Sequence, residues 1–292
     1  MTEGAERIEA ATSLAHVLDD LPLRAGGFIV TLYGDVVAPR GGEVWIGNII
    51  DTCAAVGISE TLVRTAVSRL VSAGRLEGRR DGRRSFYRLT DAARTEFDDA
   101  ARAIYGPDRT PGWHFVYLPD ALDDGAMAQL ERAGFARLKP NLAVGPDRAP
   151  VPDGALVFAA TPEGGSAALP QFAAGAWDLA QHARAYDDFV ARFANLAAAE
   201  PPRGDTALTL RLLLVHCYRQ TLLRDPRLPA AALPARWPGH AARRVFAEAY
   251  LRLSPGTDSH VGSAFENMAG ALPATNATTD TRLALLGEIL GQ

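Results

Sequence analysis

The chain has 292 residues, of which 48% are hydrophobic and 22% charged, a composition that excludes disordered, fibrous and collagen-like proteins. Its longest apolar runs are far shorter than the roughly 20 residues that cross a bilayer, and its first residues lack the basic start and apolar middle of a signal peptide. The two cysteines cannot form a zinc site by themselves, and a chain of this length needs no disulfide. We therefore expect a cytoplasmic protein with no membrane segment, metal or resident cofactor.

The net charge of −4 is unevenly distributed along the chain. Residues 62–89 contain eight arginines and two acidic residues, a local charge of +6, so the other residues together carry −10. One concentrated basic segment in an otherwise acidic chain indicates a polyanionic partner such as a nucleic acid.

Breaks rich in proline and glycine divide the chain into three predicted domains, at residues 20–106, 107–174 and 175–292. The pattern predicts an α+β multidomain protein. We expect an N-terminal winged helix-turn-helix, a middle ferredoxin-like α+β domain, and an all-helical C-terminal domain.

The N-terminal domain begins with three predicted helices, over Leu23–Val37, Val44–Ala55 and Glu60–Ala73, the last behind an N-cap at Ser59. The third helix has two apolar rows, which predict one buried face; they comprise Leu62, Ala66 and Leu70, and Val63, Val67 and Val71. Its opposite face is basic and hydrogen-bonding, as in a helix that enters a DNA groove, and consists of Thr61, Arg64, Thr65, Ser68 and Arg69.

Two short strands, Arg75–Arg80 and Arg83–Leu89, follow with Asp81-Gly82 between them, a strong signal for a two-residue hairpin turn. Apolar side chains that can anchor this hairpin on the helices are Leu76, Phe86 and Leu89. Its tip is basic and carries Arg79, Arg80, Arg83 and Arg84. Three helices followed by a basic hairpin predict a winged helix-turn-helix, and a helix over Asp91–Ile104 follows a Thr90 cap.

The middle domain alternates short elements: strands over Trp113–Leu118, Phe135–Leu138, Leu142–Val144 and Ala155–Ala160, and a helix over Asp123–Ala133. The last domain has predicted helices over Asp178–Ala199, Asp205–Leu223, His240–Leu253, His260–Ala269 and Leu283–Leu290.

Several of these segments resemble one family in order along the chain. The matching stretches are 29–37, 39–42 and 44–47 near the start, 63–70 and 82–90 in the basic segment, and 216–219, 223–226, 228–229, 233–234 and 237–239 near the end. They resemble the PaaX family, the repressors of phenylacetate catabolism and their relatives. The stretch 63–70 is similar to the recognition helix of that family, and 82–90 to its wing.

The resemblance implies a winged helix at the N-terminus, a middle domain similar to a small CRISPR-associated ferredoxin-like nuclease, and a helical C-terminal domain. It also implies a homodimer that binds double-stranded, partly palindromic operator DNA and leaves it when phenylacetyl-CoA binds. A two-fold dimer doubles the short site that one winged helix reads. We expect the helical domain to form the dimer interface.

The basic face of the third helix could be an ordinary solvated face, but the neighbouring wing and the family resemblance favour DNA contact. Arginine can donate two hydrogen bonds to guanine, and Thr and Ser suit base edges or phosphates. The wing arginines favour phosphate neutralisation or entry into a minor groove.

A second basic group surrounds the proline-rich connection near residues 225–239: His216, Arg219, Arg224, Trp237, His240 and Arg243. A CoA thioester needs cations for its phosphates and an apolar slot for its acyl group, so this group is a candidate effector site. The alternative is structural, with arginines paired to Asp225 and Glu248 and Trp237 packed inside the helices.

No phosphate loop, nucleophile elbow or zinc-protease motif is present in the sequence, so we predict no catalytic residues. Cys217 lies beside His216, but adjacent helical residues point about 100° apart and cannot act as a nucleophile and its base. Asp120 stands where the related nuclease holds a metal-binding acid, but it has no second ligand. The alternative to a regulator is an acyl-CoA or small-acid binding protein, or an enzyme, whose N-terminal domain mediates protein contacts.

Overall fold

The computed structural model describes residues 14–107, 112–119, 124–147, 150–162, 168–198 and 202–291. The chain forms two compact units, each assembled from separate segments. The first unit comprises Met1–Pro107, Phe189–Arg219 and Ala242–Gln292, and the second comprises Asp108–Asp188 and Gln220–Ala241. Among the described residues, none of the helices has the length and apolar character that would carry it across a bilayer. Asp120 lies outside the described residues.

The first unit opens with the basic segment and the helices around it. After a short helical segment at residues 14–18, its elements are α1 (Ala25–Leu32), a π-helical turn (Tyr33–Val37), a 3-10 turn (Ala38–Arg40), β1 (Glu43–Trp45), α2 (Ile46–Ala54), α3 (Glu60–Ser72), β2 (Leu76–Asp81) and β3 (Arg84–Leu89). The three strands form an antiparallel sheet in the order β1-β3-β2. The helices and the hairpin therefore occur in the predicted order.

The helix predicted over Val44–Ala55 is wrong at its start. Residues 43–45 are a strand instead, with Glu43 opposite Arg88 and Trp45 opposite Phe86. The physical reason is the free edge of β3, whose backbone groups gain partners when this short segment extends beside them. Val44 is fully buried between two half-buried neighbours, as the alternation of a strand requires.

The hairpin turn lies one residue further along than predicted. Asp81 is the last residue of β2 and pairs with Arg84, so the two turn residues are Gly82 and Arg83. Gly82 has a φ of 55° and is the first of the two, as in a type II′ turn, where only the first position needs a positive φ. The anchors are as predicted, since Leu76, Phe86 and Leu89 are all buried.

The remaining elements of the first unit are helical apart from one small hairpin. They are α4 (Asp91–Tyr105), the ends of α7 (Leu179–Ala198) and α8 (Gly204–Leu222) that belong to this unit, α9 (Gly239–Ala264) from Ala242 onward, β8 (Glu266–Asn267), β9 (Gly270–Ala271) and α10 (Ala277–Leu290). The predicted Thr90 cap is confirmed, because its side chain accepts a hydrogen bond from the Ala93 amide.

Helix α9 is continuous through Pro255, where two separate helices were predicted. The helical turns before and after the proline are both packed inside the protein, where Leu253, Ser254, Thr257 and Asp258 are all buried. Tertiary packing therefore offsets the hydrogen bond that a proline removes from a helix. The predicted end of the second helix is also wrong, because the chain leaves the helix at Ala264 and enters β8.

The second unit contains a four-stranded antiparallel sheet of β4 (Trp113–Tyr117), β5 (Ala136–Lys139), β6 (Leu142–Pro146) and β7 (Leu156–Ala160), in the order β5-β6-β4-β7. Helix α5 (Asp124–Arg132) covers one face, and its Met127 and Leu130 pack with Val116 and Phe135. Helix α6 (Ala168–Ala176), which the sequence did not predict, follows β7. Mixed α and β structure is thus confirmed.

Candidate nucleic-acid interface

Helix α3 exposes all five side chains that the sequence assigned to DNA contact: Thr61, Arg64, Thr65, Ser68 and Arg69. The buried side of the helix is narrower than predicted and consists of Val63, Ala66 and Val67. Leu62 and Val71 are 56% and 38% exposed, which corrects their assignment to the apolar face. The helix begins after Ser59 as expected, but the Ser59 side chain makes no capping hydrogen bond.

Local contacts already hold two side chains on the exposed face of α3. Arg64 Nε lies 2.8 Å from a carboxylate oxygen of Glu60, one turn earlier. The Thr65 hydroxyl donates to the Thr61 carbonyl at 2.8 Å. Exposed ion pairs of this kind contribute little stability, so Arg64 can exchange Glu60 for another acceptor at small cost.

The eight arginines of residues 62–89 fall into two groups. Four are paired with an acidic side chain: Arg64 with Glu60, Arg75 with Glu96, Arg84 with Glu266 and Arg88 with Glu77. The other four are exposed and form no ion pair with any described residue: Arg69, Arg79, Arg80 and Arg83. One of these lies on α3 and three lie on the hairpin. Within residues 62–89, the arginines without an ion pair therefore lie on α3 and on the β2–β3 hairpin.

Arg84 differs from the other arginines at the hairpin tip. Its guanidinium lies 4.4 Å from the centre of the Trp45 ring and 5.4 Å from that of Phe86. It is also paired with Glu266, which follows α9 almost two hundred residues later in the chain. The sequence did not single out Trp45 or Glu266, because no local pattern connects them with the hairpin.

The six predicted effector residues do not fall in one compact unit. His216, Arg219 and Arg243 belong to the first unit, and Arg224, Trp237 and His240 to the second. In the second unit, Arg224 and His240 are exposed, whereas Trp237 is buried with its ring 5.9 Å from that of Tyr186. Tyr186 in turn donates a hydrogen bond to Asp225 at 2.7 Å. Trp237 is therefore packed inside its unit, as in the alternative in which this group of residues is structural rather than an effector site.

In the first unit, three basic side chains contact backbone carbonyls or neutral groups. Arg219 donates to the Gly27 carbonyl at 3.3 Å, and Arg243 donates to the Gly106 carbonyl at 2.5 Å. His216 Nδ1 lies 2.9 Å from the Thr31 hydroxyl oxygen, and its ring packs edge-on against Phe28. The contacts of Arg219 and His216 fix α1 against α8, and the contact of Arg243 fixes α9 against the end of α4.

Burial, reinforced by the charge of Arg219, lowers the pKa of His216 to about 4. An unfolded histidine has a pKa near 6.5, so below that pH the histidine of the unfolded chain is protonated while that of the folded protein stays neutral. His216 therefore stabilises the fold above pH 6.5, and this contribution is lost as the pH falls toward 4.

We expect the free energy of unfolding to drop by about 2 kcal/mol between pH 7 and pH 4.5 through His216 alone. Urea titrations of the protein and of His216→Gln at both pH values measure this drop. Titratable groups that both proteins share affect both stabilities equally, so the difference between the proteins isolates the contribution of His216. A stability difference between the two proteins that is equal at pH 7 and pH 4.5 would contradict the assignment.

The two cysteines lack the environment of a catalytic thiol. Burial raises the pKa of Cys53 to about 12, and it does the same for Cys217. Both side chains are therefore protonated thiols at neutral pH and poor nucleophiles. In the described part of the chain, no three His, Cys, Asp or Glu side chains are grouped as metal ligands would be.

Two family models match the chain. Residues 24–93 match the model of the PaaX-like protein, and residues 177–263 match that of the PaaX-like protein C-terminal domain. The first of these matches contains α3 and the whole basic hairpin.

Two individual proteins resemble the chain over most of its length. The transcriptional repressor PaaX of Escherichia coli (strain K12) is 33% identical over 288 residues, covering 90% of this chain and 91% of that protein. The solved structure of the uncharacterized protein Rv0674 from Mycobacterium tuberculosis is similar with a TM-score of 0.51 and 23% identity, covering 80% of this chain and 97% of that one. This second likeness concerns the fold alone.

Proposed function

Because the chain belongs to the PaaX-like family, we propose that it is a transcriptional repressor, and not an enzyme, that binds operator DNA through α3 and the β2–β3 hairpin. The observation that carries this proposal is the position of the uncompensated arginines. Arg69, Arg79, Arg80 and Arg83 are exposed on these two elements, inside the segment that matches the PaaX-like model.

In this proposal, residues 25–89 form a winged helix-turn-helix. Helices α2 and α3 are its helix-turn-helix pair, α3 is the recognition helix, and the β2–β3 hairpin is the wing. Arg64 and Arg69 are long enough to reach guanine edges in a major groove, and Thr61, Thr65 and Ser68 suit base edges or phosphates beside them. Arg79, Arg80 and Arg83 supply phosphate contacts at the wing, which add affinity without reading sequence.

We propose the ferredoxin-like fold for the middle domain, and its strand order supports this proposal. β5-β6-β4-β7 is the order of that fold, with every neighbouring pair antiparallel. The connection from β6 to β7 spans residues 147–155 and departs from the full pattern, which has a second helix there. The described residues of this connection are not helical.

A homodimer is proposed to form through β7 rather than through the helical domain, where the sequence placed it. β7 lies at one edge of its sheet and exposes Leu156, Val157 and Phe158 by 52%, 43% and 57%. An edge strand with exposed apolar side chains is a surface that proteins normally cover. Antiparallel pairing of such a strand with its own copy is self-complementary, as a two-fold interface requires.

An acyl-CoA such as phenylacetyl-CoA is proposed as the inducer, controlling genes of aromatic-acid or related catabolism. The anionic CoA moiety needs cations, and the hydrogen bond of the Arg219 side chain goes to the Gly27 carbonyl rather than to an acidic residue. Its Nε is buried and has no hydrogen-bond partner among the described residues, and burial lowers its pKa. An anionic group beside Arg219 would relieve that cost.

A gel-shift titration with the DNA upstream of the protein's own gene, with and without phenylacetyl-CoA, tests both parts of the proposal. We expect a shift that phenylacetyl-CoA releases, and we expect Arg219→Gln to bind the DNA but to need more of the acyl-CoA for release. A shift that persists with phenylacetyl-CoA would contradict the proposal that this compound is the inducer, but it would support the proposed repressor function. The absence of a shift at low salt, here and with neighbouring promoters, would contradict DNA binding itself.

A further inference from the structure

Glu266 forms an ion pair with one arginine at the tip of the hairpin, whereas the neighbouring arginines form no ion pair with a described residue. Arg79, Arg80 and Arg83 are exposed, whereas the side chain of Arg84 is 41% exposed and that of its partner Glu266 is 33% exposed. Arg84 is confined by a carboxylate on one side and by the Trp45 ring on the other. Both contacts direct its guanidinium toward the protein.

The backbone that carries the Glu266 carboxylate is fixed to α2 and β1. The Glu266 amide donates to Asn48 Oδ1 at 3.1 Å, and Asn48 Nδ2 donates to the Ala264 carbonyl at 2.8 Å. Two residues on, the Met268 amide donates to a carboxylate oxygen of Glu43 on β1 at 3.1 Å. Two hydrogen bonds therefore attach the β8–β9 hairpin to α2 and β1, and a third attaches the adjoining end of α9 to α2. The Glu266 side chain is paired with Arg84 of the wing.

We propose that Glu266 lowers the affinity for DNA by competing with the phosphate backbone for Arg84. Arg84 contacts a phosphate only when it leaves Glu266. The inference rests on the proposed function, because it needs the wing to lie against DNA. A segment that is distant in the sequence thereby sets the strength of the DNA contact, and Glu266 is its affinity-determining residue.

The physical basis is an exchange of one anionic partner for another. When DNA approaches the wing, Arg84 has two options. It can stay paired with Glu266 and add nothing to the free energy of DNA binding, or it can bind a phosphate and lose its ion pair with Glu266. In both cases the net gain is smaller than for an unpaired arginine. The Glu266 carboxylate also repels nearby phosphates. Neutralising Glu266 without changing its shape removes both penalties.

The test is the salt dependence of binding to a mixed-sequence duplex of about 30 base pairs, long enough for several phosphate contacts. We expect Glu266→Gln to bind roughly two- to five-fold more tightly than the unsubstituted protein at low salt. Its plot of log affinity against log salt should be steeper by about 0.9 for each additional phosphate contacted per protomer.

Two controls separate this effect from a general change in charge. Glu248→Gln removes the same charge from α9 of the same unit, where Glu248 faces Arg244, and should change affinity much less. In the Arg84→Gln background, Glu266→Gln should no longer steepen the salt dependence, because the arginine that it would release is absent. A circular-dichroism melt of each variant verifies that the fold is intact.

Three outcomes would overturn the inference. Equal or weaker binding by a folded Glu266→Gln would show that Glu266 does not compete for Arg84. An equal increase with and without Arg84 would show that only the charge of Glu266 matters. A failure of the unsubstituted protein to bind any duplex at low salt would overturn the proposed function and this inference with it, whereas the first two outcomes leave the proposed function standing.

Discussion

Replacing Arg64 and Arg69 together with alanine will reduce affinity for the operator at least about 30-fold, because a good arginine contact to a base contributes roughly 1–3 kcal/mol of discrimination. Both side chains are exposed on the proposed recognition face of α3. Arg64 has only an exposed pairing with Glu60 to give up, and Arg69 has no ion pair with a described residue. Fluorescence anisotropy with labelled operator DNA measures the loss.

The matched control for this variant is Arg102→Ala. Arg102 is also an exposed helical arginine paired with a nearby acid, Asp99, but it lies on α4 and outside the proposed interface. We expect operator affinity to stay within about two-fold in that variant, and thermal stability to be nearly unchanged in both, since exposed ion pairs contribute little. Undiminished binding by the Arg64 and Arg69 double variant would show that α3 is not the recognition helix.

Replacing Asp35 with asparagine will destabilise the fold by about 3–5 kcal/mol, the usual cost of breaking a buried ion pair from one side. The Asp35 carboxylate accepts hydrogen bonds from Arg211 Nε at 2.9 Å, Tyr105 Oη at 2.9 Å and Tyr250 Oη at 2.8 Å. Both members of the Asp35–Arg211 pair have almost no exposed side-chain surface. Urea denaturation at pH 7 measures the change.

The size of that effect comes from the charge left behind rather than from a cavity, because asparagine has nearly the same shape as aspartate. Arg211 also pairs with Asp258 at 3.0 Å, but Asp258 is shared with Arg40 at 2.9 Å. Loss of Asp35 therefore leaves two buried arginines with one carboxylate. Tyr105→Phe, which removes one neutral donor from the same site, should cost only about 1–2 kcal/mol. A loss below about 1 kcal/mol for Asp35→Asn would contradict this account of the cluster.

The exposed basic face of α3 could be predicted because its signals are local. The two predicted apolar rows contain six residues, of which Val63, Ala66 and Val67 are buried. The exposed arginines lie on the opposite side of the helix, as predicted. The hairpin was predicted by Gly82 between two short runs, although its turn lies one residue further on. The strand at Glu43–Trp45 was missed because its partner, β3, lies forty residues later in the chain.

The contacts that fix this region to the C-terminal segments could not be predicted from local patterns. Asp35 and Arg211 are 176 residues apart in sequence, and Arg40 and Asp258 are 218 apart. In the sequence, Asp35, Arg40 and Asp258 look like ordinary charged residues, because nothing in their spacing indicates that they form buried ion pairs. The same holds for Arg84 and Glu266. The candidate effector residues were grouped by nearness in sequence, whereas the fold divides them between two units.

The salt dependence of DNA binding by the unsubstituted protein tests the central claim most directly. Each arginine that neutralises a phosphate releases a counterion, so log affinity falls with log salt by about 0.9 per contact. The four unpaired arginines predict a slope of about −3 to −4 per protomer, doubled in a two-fold dimer. A slope near this value supports a DNA-binding surface on α3 and the hairpin. Binding that is absent at low salt, or that does not change with salt, would contradict it.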